Sequence, residues 1–151
     1  MIKISPFLPL LLLLACNNNS DQQAITDDSV ATELLGWRST LNDTTMKLEM
    51  KKMEPVDADS LDPVTITKFL NSRNSRVTIE WQRQSNDTAY LKIADATVLT
   101  QQMGTTGAMM YMAFVVYNVT ELPGIRFVTL SFDEGDHAVP GTYTRESFKD
   151  E

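Results

Sequence analysis

One histidine beside a group of acidic residues is the feature of this sequence that most directly suggests chemistry. His137 ends the run DEGDH, after Asp133, Glu134 and Asp136. These side chains could hold a hard cation or form a histidine–carboxylate pair, but the same residues are typical of a solvated turn after the last strand, which we predict here. A catalytic triad would need this histidine, the only one in the chain, and no nucleophile-elbow motif accompanies it. We therefore predict no catalytic residue.

The sequence also gives little support to a metal or cofactor site. The chain has one histidine and one cysteine, which excludes clusters of imidazole or thiolate ligands. Met109, Met110 and Met112 offer thioethers, which suit Cu(I). On a helix, however, these side chains point in different directions, and methionine fills irregular cores well. We predict that they pack in the core, and we expect neither a metal nor a cofactor.

Length and charge restrict the class of protein and of partner. The chain has 151 residues and a formal net charge of -7. This length fits a single domain with a modest core. Proteins that bind nucleic acids gain most of their affinity from basic side chains that neutralise phosphates. The acidic balance, without a basic block, therefore predicts that nucleic acid is not a partner.

The N-terminal residues have the pattern of an export signal. Lys3 precedes an apolar run, residues 7–15, that is too short to span a bilayer as a stable helix. The run ends in the tetrad Leu-Leu-Ala-Cys at Cys16, which resembles the lipobox of bacterial lipoproteins. This resemblance implies that residues 1–15 are removed and that Cys16 is acylated, whereas in an ordinary secretory signal the cysteine would be coincidental. Because Asn17 stands where an inner-membrane retention aspartate would, we expect a lipid anchor in the outer membrane, facing the periplasm.

A polar segment, residues 16–33, separates this anchor from the apolar sequence that follows. Its few large apolar side chains predict a disordered tether, followed by one domain over residues 34–148 and a tail over 149–151. Four Asp-Ser/Thr-apolar triplets resemble the sites of a bacterial periplasmic O-glycosylation system, and plain turn chemistry also explains them. The candidate hydroxyls, all in predicted loops or turns, belong to Ser29, Thr44, Ser60 and Thr88.

Alternation of apolar and polar residues predicts a small two-layer α+β domain. Two alternating runs around the turn NDTT indicate an N-terminal β-hairpin, although Met46, Met50 and Met53 also share one helical face. Asp62 followed by Pro63 is typical of a helix entry. The predicted order is a hairpin (37–41 and 46–51), a helix (62–71), two strands (76–84 and 89–94), a helix (106–121) and a strand (125–132).

The sequence from residue 89 onward resembles a GerMN domain, a family named for a germination and sporulation lipoprotein. The pattern is a strand ending in an acidic residue, a Gly-containing connector, a helix ending at Thr-Glu-Leu-Pro-Gly, and a strand leading into an acidic turn; here these are residues 90–95, 104–107, 119–124 and 128–135. The resemblance covers about residues 34–148 and makes Leu122-Pro123-Gly124 a structural corner. It implies a non-catalytic envelope scaffold that resembles ring-building channel modules. The chain has one copy instead of the founding protein's tandem pair, so the fold transfers better than the biology.

The longer predicted helix needs either internal cover or a partner. Residues 108–117 (AMMYMAFVVY) include no strongly polar side chain, so this helix is apolar on every side. The hairpin and the helix at 62–71 could cover it. Otherwise an exposed apolar strip would bind an envelope protein or a second copy of this chain. The candidate interface residues are Tyr111, expected to lie nearest the surface, Phe114 and Tyr117.

Two functions remain open at this point. The first is a non-catalytic scaffold or protein-interaction module of the cell envelope. The alternative is a module that binds peptidoglycan or another envelope glycan, with Trp37, Trp81 and Tyr90 as stacking surfaces. Two indoles on one open face would favour the glycan, whereas buried indoles would favour the scaffold.

Overall fold

The computed structural model describes residues 36–53 and 61–149, which form a mixed α+β domain. The regular elements, in chain order, are β1 (Trp37–Leu41), β2 (Leu48–Lys52), α1 (Pro63–Arg73), β3 (Ile79–Ser85), β4 (Thr88–Ile93), a π-helical turn (Val98–Gln102), α2 (Gly104–Val119), β5 (Phe127–Ser131), β6 (Gly141–Tyr143) and a 3-10 helix (Arg145–Phe148). The α+β class, the N-terminal hairpin and the order of the predicted elements are confirmed. The predicted signal, Cys16 and the tether lie outside the described residues.

The four later strands form one mixed sheet in the order β3-β4-β5-β6. The pairs β3–β4 and β5–β6 are antiparallel, whereas β4 and β5 are parallel. Parallel neighbours require a crossover connection, which the π-helical turn and α2 provide. On one face, Ile79, Leu91, Val128 and Leu130 are each at most 1 % exposed. The helices pack on this apolar face.

Helix α2 lies at the centre of the domain, and most of its residues are buried. The sheet packs against one side of α2 and the hairpin contacts another, while α1 and the 3-10 helix contact parts of the remainder. A helix at a surface would need a polar stripe toward the solvent, which residues 108–117 lack. The prediction that the hairpin and α1 cover this helix is therefore confirmed.

Local chemistry explains two of the boundaries. Asp62 caps α1, because its carboxylate accepts hydrogen bonds from the amides of Val64 (2.7 Å) and Thr65 (2.9 Å). The backbone and hydroxyl of Thr65 lower the pKa of Asp62 below its ordinary value. After α2, Gly124 has a φ of 79°, in the left-handed region that favours glycine. The segment 122–124 is thus a structural corner between α2 and β5, as predicted.

The structure also contains elements and boundaries that the sequence did not predict. Strand β6 pairs with β5, and the 3-10 helix follows it, so His137 lies between two strands and not after the last one. A strand of three residues is too short to produce a recognisable alternation. The predicted connector between β4 and α2 includes the π-helical turn. Thr88 is the first residue of β4 and not part of a turn.

Candidate binding site

Asn118 fastens the hairpin to α2. This residue is 0 % exposed, and its carboxamide bonds both backbone groups of Trp37. Oδ1 accepts from the Trp37 amide at 2.8 Å, and Nδ2 donates to the Trp37 carbonyl at 3.0 Å. Nδ2 also donates to the Phe114 carbonyl at 2.7 Å. The close approach requires glycine at Gly36, where a Cβ atom would lie only 2.2 Å from Asn118 Oδ1.

A charged cluster of Glu121, Lys52 and Arg145 completes this junction. We call this cluster, together with Asn118, the latch. Glu121 accepts hydrogen bonds from the Trp37 indole and from Lys52, both at 2.8 Å. Arg145 donates to the same carboxylate at 2.5 Å. Burial would raise the pKa of Glu121, but these hydrogen bonds and the charge of Arg145 outweigh burial and lower it from 4.5 to about 2. The Trp37 ring also packs edge-on against Tyr117, with 5.0 Å between ring centres.

A half-open pocket of about 240 Å³ lies beside the latch, between the hairpin and the two helices. One water needs only about 10–15 Å³ on this measure, so the space suits a larger group. Its apolar walls are formed by Trp37, Met53, Phe69, Tyr111 and Phe114. Arg38 and Arg73 are the only charged residues that line it within the described part of the chain. We call this space the binding pocket.

Tyr111 holds the one unsatisfied side-chain group of this region. The residue is 6 % exposed, and its hydroxyl is the only buried side-chain polar atom among the described residues that has no hydrogen-bond partner. Burial raises the pKa of the phenol, which therefore stays a protonated donor. The expectation that Tyr111 lies nearest the surface is wrong, because the hairpin and α1 cover this side of α2. An unpaired buried hydroxyl costs about 1–3 kcal/mol.

The other two predicted interface residues are also not part of an exposed strip. Tyr117 is 8 % exposed, and its hydroxyl donates to the Arg145 carbonyl at 3.3 Å. Phe114 is half-buried, and its ring centre lies 5.9 Å from that of Phe69 in α1. The binding pocket thus unites two predicted interface residues, Tyr111 and Phe114, with Trp37, which was predicted for glycan stacking.

The predicted stacking residues Trp81 and Tyr90 lie on other surfaces. Trp81 is half-buried in a groove beside α1, next to Val64. Tyr90 lies on the opposite face of the sheet, where the Arg83 guanidinium covers its ring at 3.5 Å from the ring centre. The structure therefore does not bring Trp81 and Tyr90 together with Trp37.

The candidate modification sites have different surroundings. Thr44 is exposed in the hairpin turn, where its amide donates to Asn42 Oδ1 at 3.0 Å. Thr88 is half-buried at the start of β4 and pairs with Phe127. Ser29 and Ser60 lie outside the described residues. Thr44 is thus the candidate that the described structure places on an exposed turn.

His137 and the methionines have structural contacts. The half-buried imidazole has Nδ1 3.1 Å from the Thr105 hydroxyl at the start of α2, and the neighbouring Asp133, Glu134 and Asp136 are exposed. Met112 is 5 % exposed, and Met109 and Met110 pack against the core, as predicted. Residues 36–53 and 61–149 include no group of three or more acidic, histidine or cysteine side chains that could hold a metal ion.

Comparisons with known proteins identify no relative of this chain. No family model, no curated protein and no solved structure matches it. The resemblance to the GerMN family therefore remains a prediction. Within the described residues, no helix combines the length and apolar character needed to cross a membrane.

Sequence reasoning did not identify the latch. Asn118 directly follows the apolar run 108–117, and a lone amide in such a run is a signal that its polar atoms need buried partners. Glu121 and Arg145 gave no comparable signal, because charged residues near a helix end are usually solvated. Their pairing depends on the position of the 3-10 helix, which begins at Arg145.

Proposed function

We propose that this chain is a non-catalytic interaction module of the cell envelope, held near the membrane by a lipid on Cys16, and that its domain binds a partner protein through the binding pocket. One observation carries this proposal: Tyr111, a wall residue of the pocket, has a buried and protonated hydroxyl without a partner among the described residues. Binding sites typically combine apolar walls with a few polar groups that orient the ligand. The resemblance to envelope scaffolds supports the same class of function.

The latch supports a binding role because it holds one wall of the pocket in place. Trp37 lines the pocket, while its backbone is bonded to Asn118 and its indole to Glu121. A wall that is fixed before the ligand arrives loses little conformational freedom on binding. The hairpin is therefore suited to present a preformed surface to a partner.

A glycan-binding function receives less support from the geometry. Stacking on a sugar chain would be favoured by two aromatic rings on one open face. Trp37 belongs to the hairpin, whereas Trp81 and Tyr90 lie on opposite faces of the four-stranded sheet. The separation of these rings is the reason that we prefer a protein partner.

The proposed contact can be tested by site-specific photo-crosslinking in intact cells. A photoreactive benzoylphenylalanine at Thr40, which is exposed on β1 beside the pocket, should give a discrete adduct. The same group at Thr142, an exposed threonine on the far sheet, serves as the matched control. An adduct of twice the chain mass would identify a second copy as the partner. Adducts from Thr142 but none from Thr40 would contradict the proposal.

The proposed anchor has a separate test. Cys16→Ala should move the protein from the membrane fraction to the soluble fraction, because a thiol is required for acylation. Metabolic labelling with a fatty acid should mark the wild type and not the variant. Unchanged membrane partition, without labelling of the wild type, would exclude the anchor while leaving the pocket proposal intact.

A further inference from the structure

Strand β1 has an unpaired backbone edge beside the binding pocket. Backbone hydrogen bonds join Gly36 to Met53 and Asn42 to Lys47 across the hairpin. In an antiparallel register the bonded pairs alternate, so the residues between them at 37, 39 and 41 direct their N–H and C=O groups away from β2. Strand β1 pairs only with β2 in the described structure. The outer edge of β1 therefore faces away from any sheet partner.

The Asn118 side chain already occupies the first position of this edge. Its carboxamide accepts from the Trp37 N–H and donates to the Trp37 C=O, as a neighbouring strand would do. Two residues further along, Ser39 is half-buried and lines the pocket. Among the described residues, no hydrogen bond reaches the outward backbone groups of Ser39. The edge is thus closed at Trp37 and open at Ser39.

The chemistry around this open edge selects a type of ligand. An unpaired strand edge offers a peptide a place to add as a further strand, and an adjacent pocket can take one of its side chains. Here the pocket walls are aromatic, so the side chain should be apolar. Arg38 follows Trp37 on the same strand, lines the pocket and is exposed. The charged residues that line the pocket in the described part of the chain, Arg38 and Arg73, are both basic, which favours acidic groups on the ligand.

We infer that an extended, acidic segment of a partner protein pairs with β1 at Ser39, inserts an apolar side chain into the binding pocket and places a carboxylate at Arg38. This inference rests on the proposed function and specifies the ligand class of the same site. The peptide backbone supplies acceptors for the Ser39 N–H and donors for its C=O. A carbonyl or carboxylate of the segment gives the Tyr111 hydroxyl an acceptor.

Four matched peptides separate the contributions of backbone pairing, of the apolar side chain and of the carboxylates. The parent is acetyl-Thr-Asp-Phe-Asp-Thr-amide, and each relative changes one feature: both Asp to Asn, Phe to Ala, or N-methylation of the central amide. Each is titrated against the full, isotope-labelled chain, and chemical shifts are followed by NMR. The parent should shift the amides of Arg38, Ser39 and Phe114 saturably, and each altered peptide should bind at least fivefold more weakly.

Two protein variants identify the groups that the peptide contacts. Arg38→Gln should weaken binding of the Asp peptide at least fivefold and leave binding of the Asn peptide nearly unchanged. Only the Asp peptide has a carboxylate that can pair with Arg38. Ser39→Pro removes an N–H that does not take part in the hydrogen bonds of the hairpin. It should therefore weaken binding of the parent peptide, while the NMR spectrum still shows a folded hairpin. If this variant unfolds, the N-methylated peptide still tests the backbone pairing.

Each opposite result overturns a defined part of the inference. Equal affinity of the parent and the N-methylated peptide would exclude strand addition, and equal affinity of the Asp and Asn peptides would exclude the acidic preference. No saturable shift with any peptide at millimolar concentration would overturn the inference as a whole. In that case a photo-adduct from Thr40 would still support the proposed function, so the two failures remain distinguishable.

Discussion

The hairpin meets helix α2 at two places, and these differ in whether their polar groups are hydrogen-bonded. At the latch, both backbone groups of Trp37 and its indole N–H are bonded, by Asn118 and Glu121. At the binding pocket, the outward backbone groups of Ser39 and the hydroxyl of Tyr111 have no partner among the described residues. Both places lie along the same short strand and against the same helix.

This difference separates the residues that hold the domain together from those that are available to a ligand. Buried polar groups are bonded in the great majority of cases, and a bonded group stabilises the fold only modestly. Removing one partner is far more harmful, because the other group is then left buried and unpaired. We therefore expect substitutions at the latch to destabilise the domain and substitutions at the pocket to leave its stability intact.

The largest effect is expected for Asn118→Leu. The leucine has a similar size but cannot bond the Trp37 amide, the Trp37 carbonyl or the Phe114 carbonyl. The Phe114 carbonyl keeps its backbone bond within α2, but the two Trp37 groups are left without a partner. Because each group left buried and unpaired costs about 1–3 kcal/mol, the free energy of unfolding should fall by about 2–6 kcal/mol. Urea unfolding of the wild type and the variant at pH 7 measures this difference.

Asn71→Leu is the matched control for this variant. Asn71 bonds the Ile79 amide at 2.8 Å and the Ile79 carbonyl at 3.0 Å, so it makes the same pair of contacts away from the hairpin. Asn71 is only half-buried, so water can replace part of the hydrogen bonding that the substitution removes. We expect the free energy of unfolding to fall by about 1–2 kcal/mol. A larger loss for Asn71→Leu than for Asn118→Leu would contradict the central role of the latch.

An intermediate effect is expected for Glu121→Gln, and this effect should depend on pH. The pKa of Glu121 in the folded chain is lowered from 4.5 to about 2. A lowered pKa gives stability that is present above pH 4.5 and is lost as the pH falls through about 2. At about 1.4 kcal/mol per pKa unit, this shift contributes at most about 3 kcal/mol to the free energy of unfolding. The remaining exposure of the carboxylate side chain, 15 %, reduces our expectation to about 2 kcal/mol.

The comparison of two pH values isolates the charge of this carboxylate. Unfolding in urea should show a deficit for Glu121→Gln at pH 7 that becomes much smaller at pH 2. Glu49→Gln, on the exposed side of the hairpin, should change the free energy of unfolding by less than about 0.5 kcal/mol at both pH values. An equal deficit for Glu121→Gln at both pH values would show that its charge is not the stabilising feature.

The same contrast shows which features could be predicted from the sequence. The hairpin and the entry into α1 follow from local alternation and from the Asp62 cap. The latch depends on contacts such as Asn118 to Trp37, which joins residues 81 positions apart. Tyr111 was placed at the surface because a helix that is apolar on every side gives no indication of which side is covered. Three residues of the pocket were predicted as functional, but for two different surfaces: Tyr111 and Phe114 for a protein interface, and Trp37 for glycan stacking.

The smallest effect, and one of opposite sign, is expected for Tyr111→Phe. Removing a buried hydroxyl that has no partner should leave the free energy of unfolding unchanged or raise it by up to about 1 kcal/mol. Tyr117→Phe is the control, because its hydroxyl donates to the Arg145 carbonyl at 3.3 Å and its loss should destabilise the domain by about 0.5–1.5 kcal/mol. Thermal unfolding compares the two. If Tyr111→Phe is destabilised as much as Tyr117→Phe, the Tyr111 hydroxyl already has a partner in the free protein, and the pocket loses the feature that distinguishes it from the latch. If Tyr111→Phe is at least as stable as the wild type and yet weakens binding of the acidic peptide, the hydroxyl serves the ligand and not the fold.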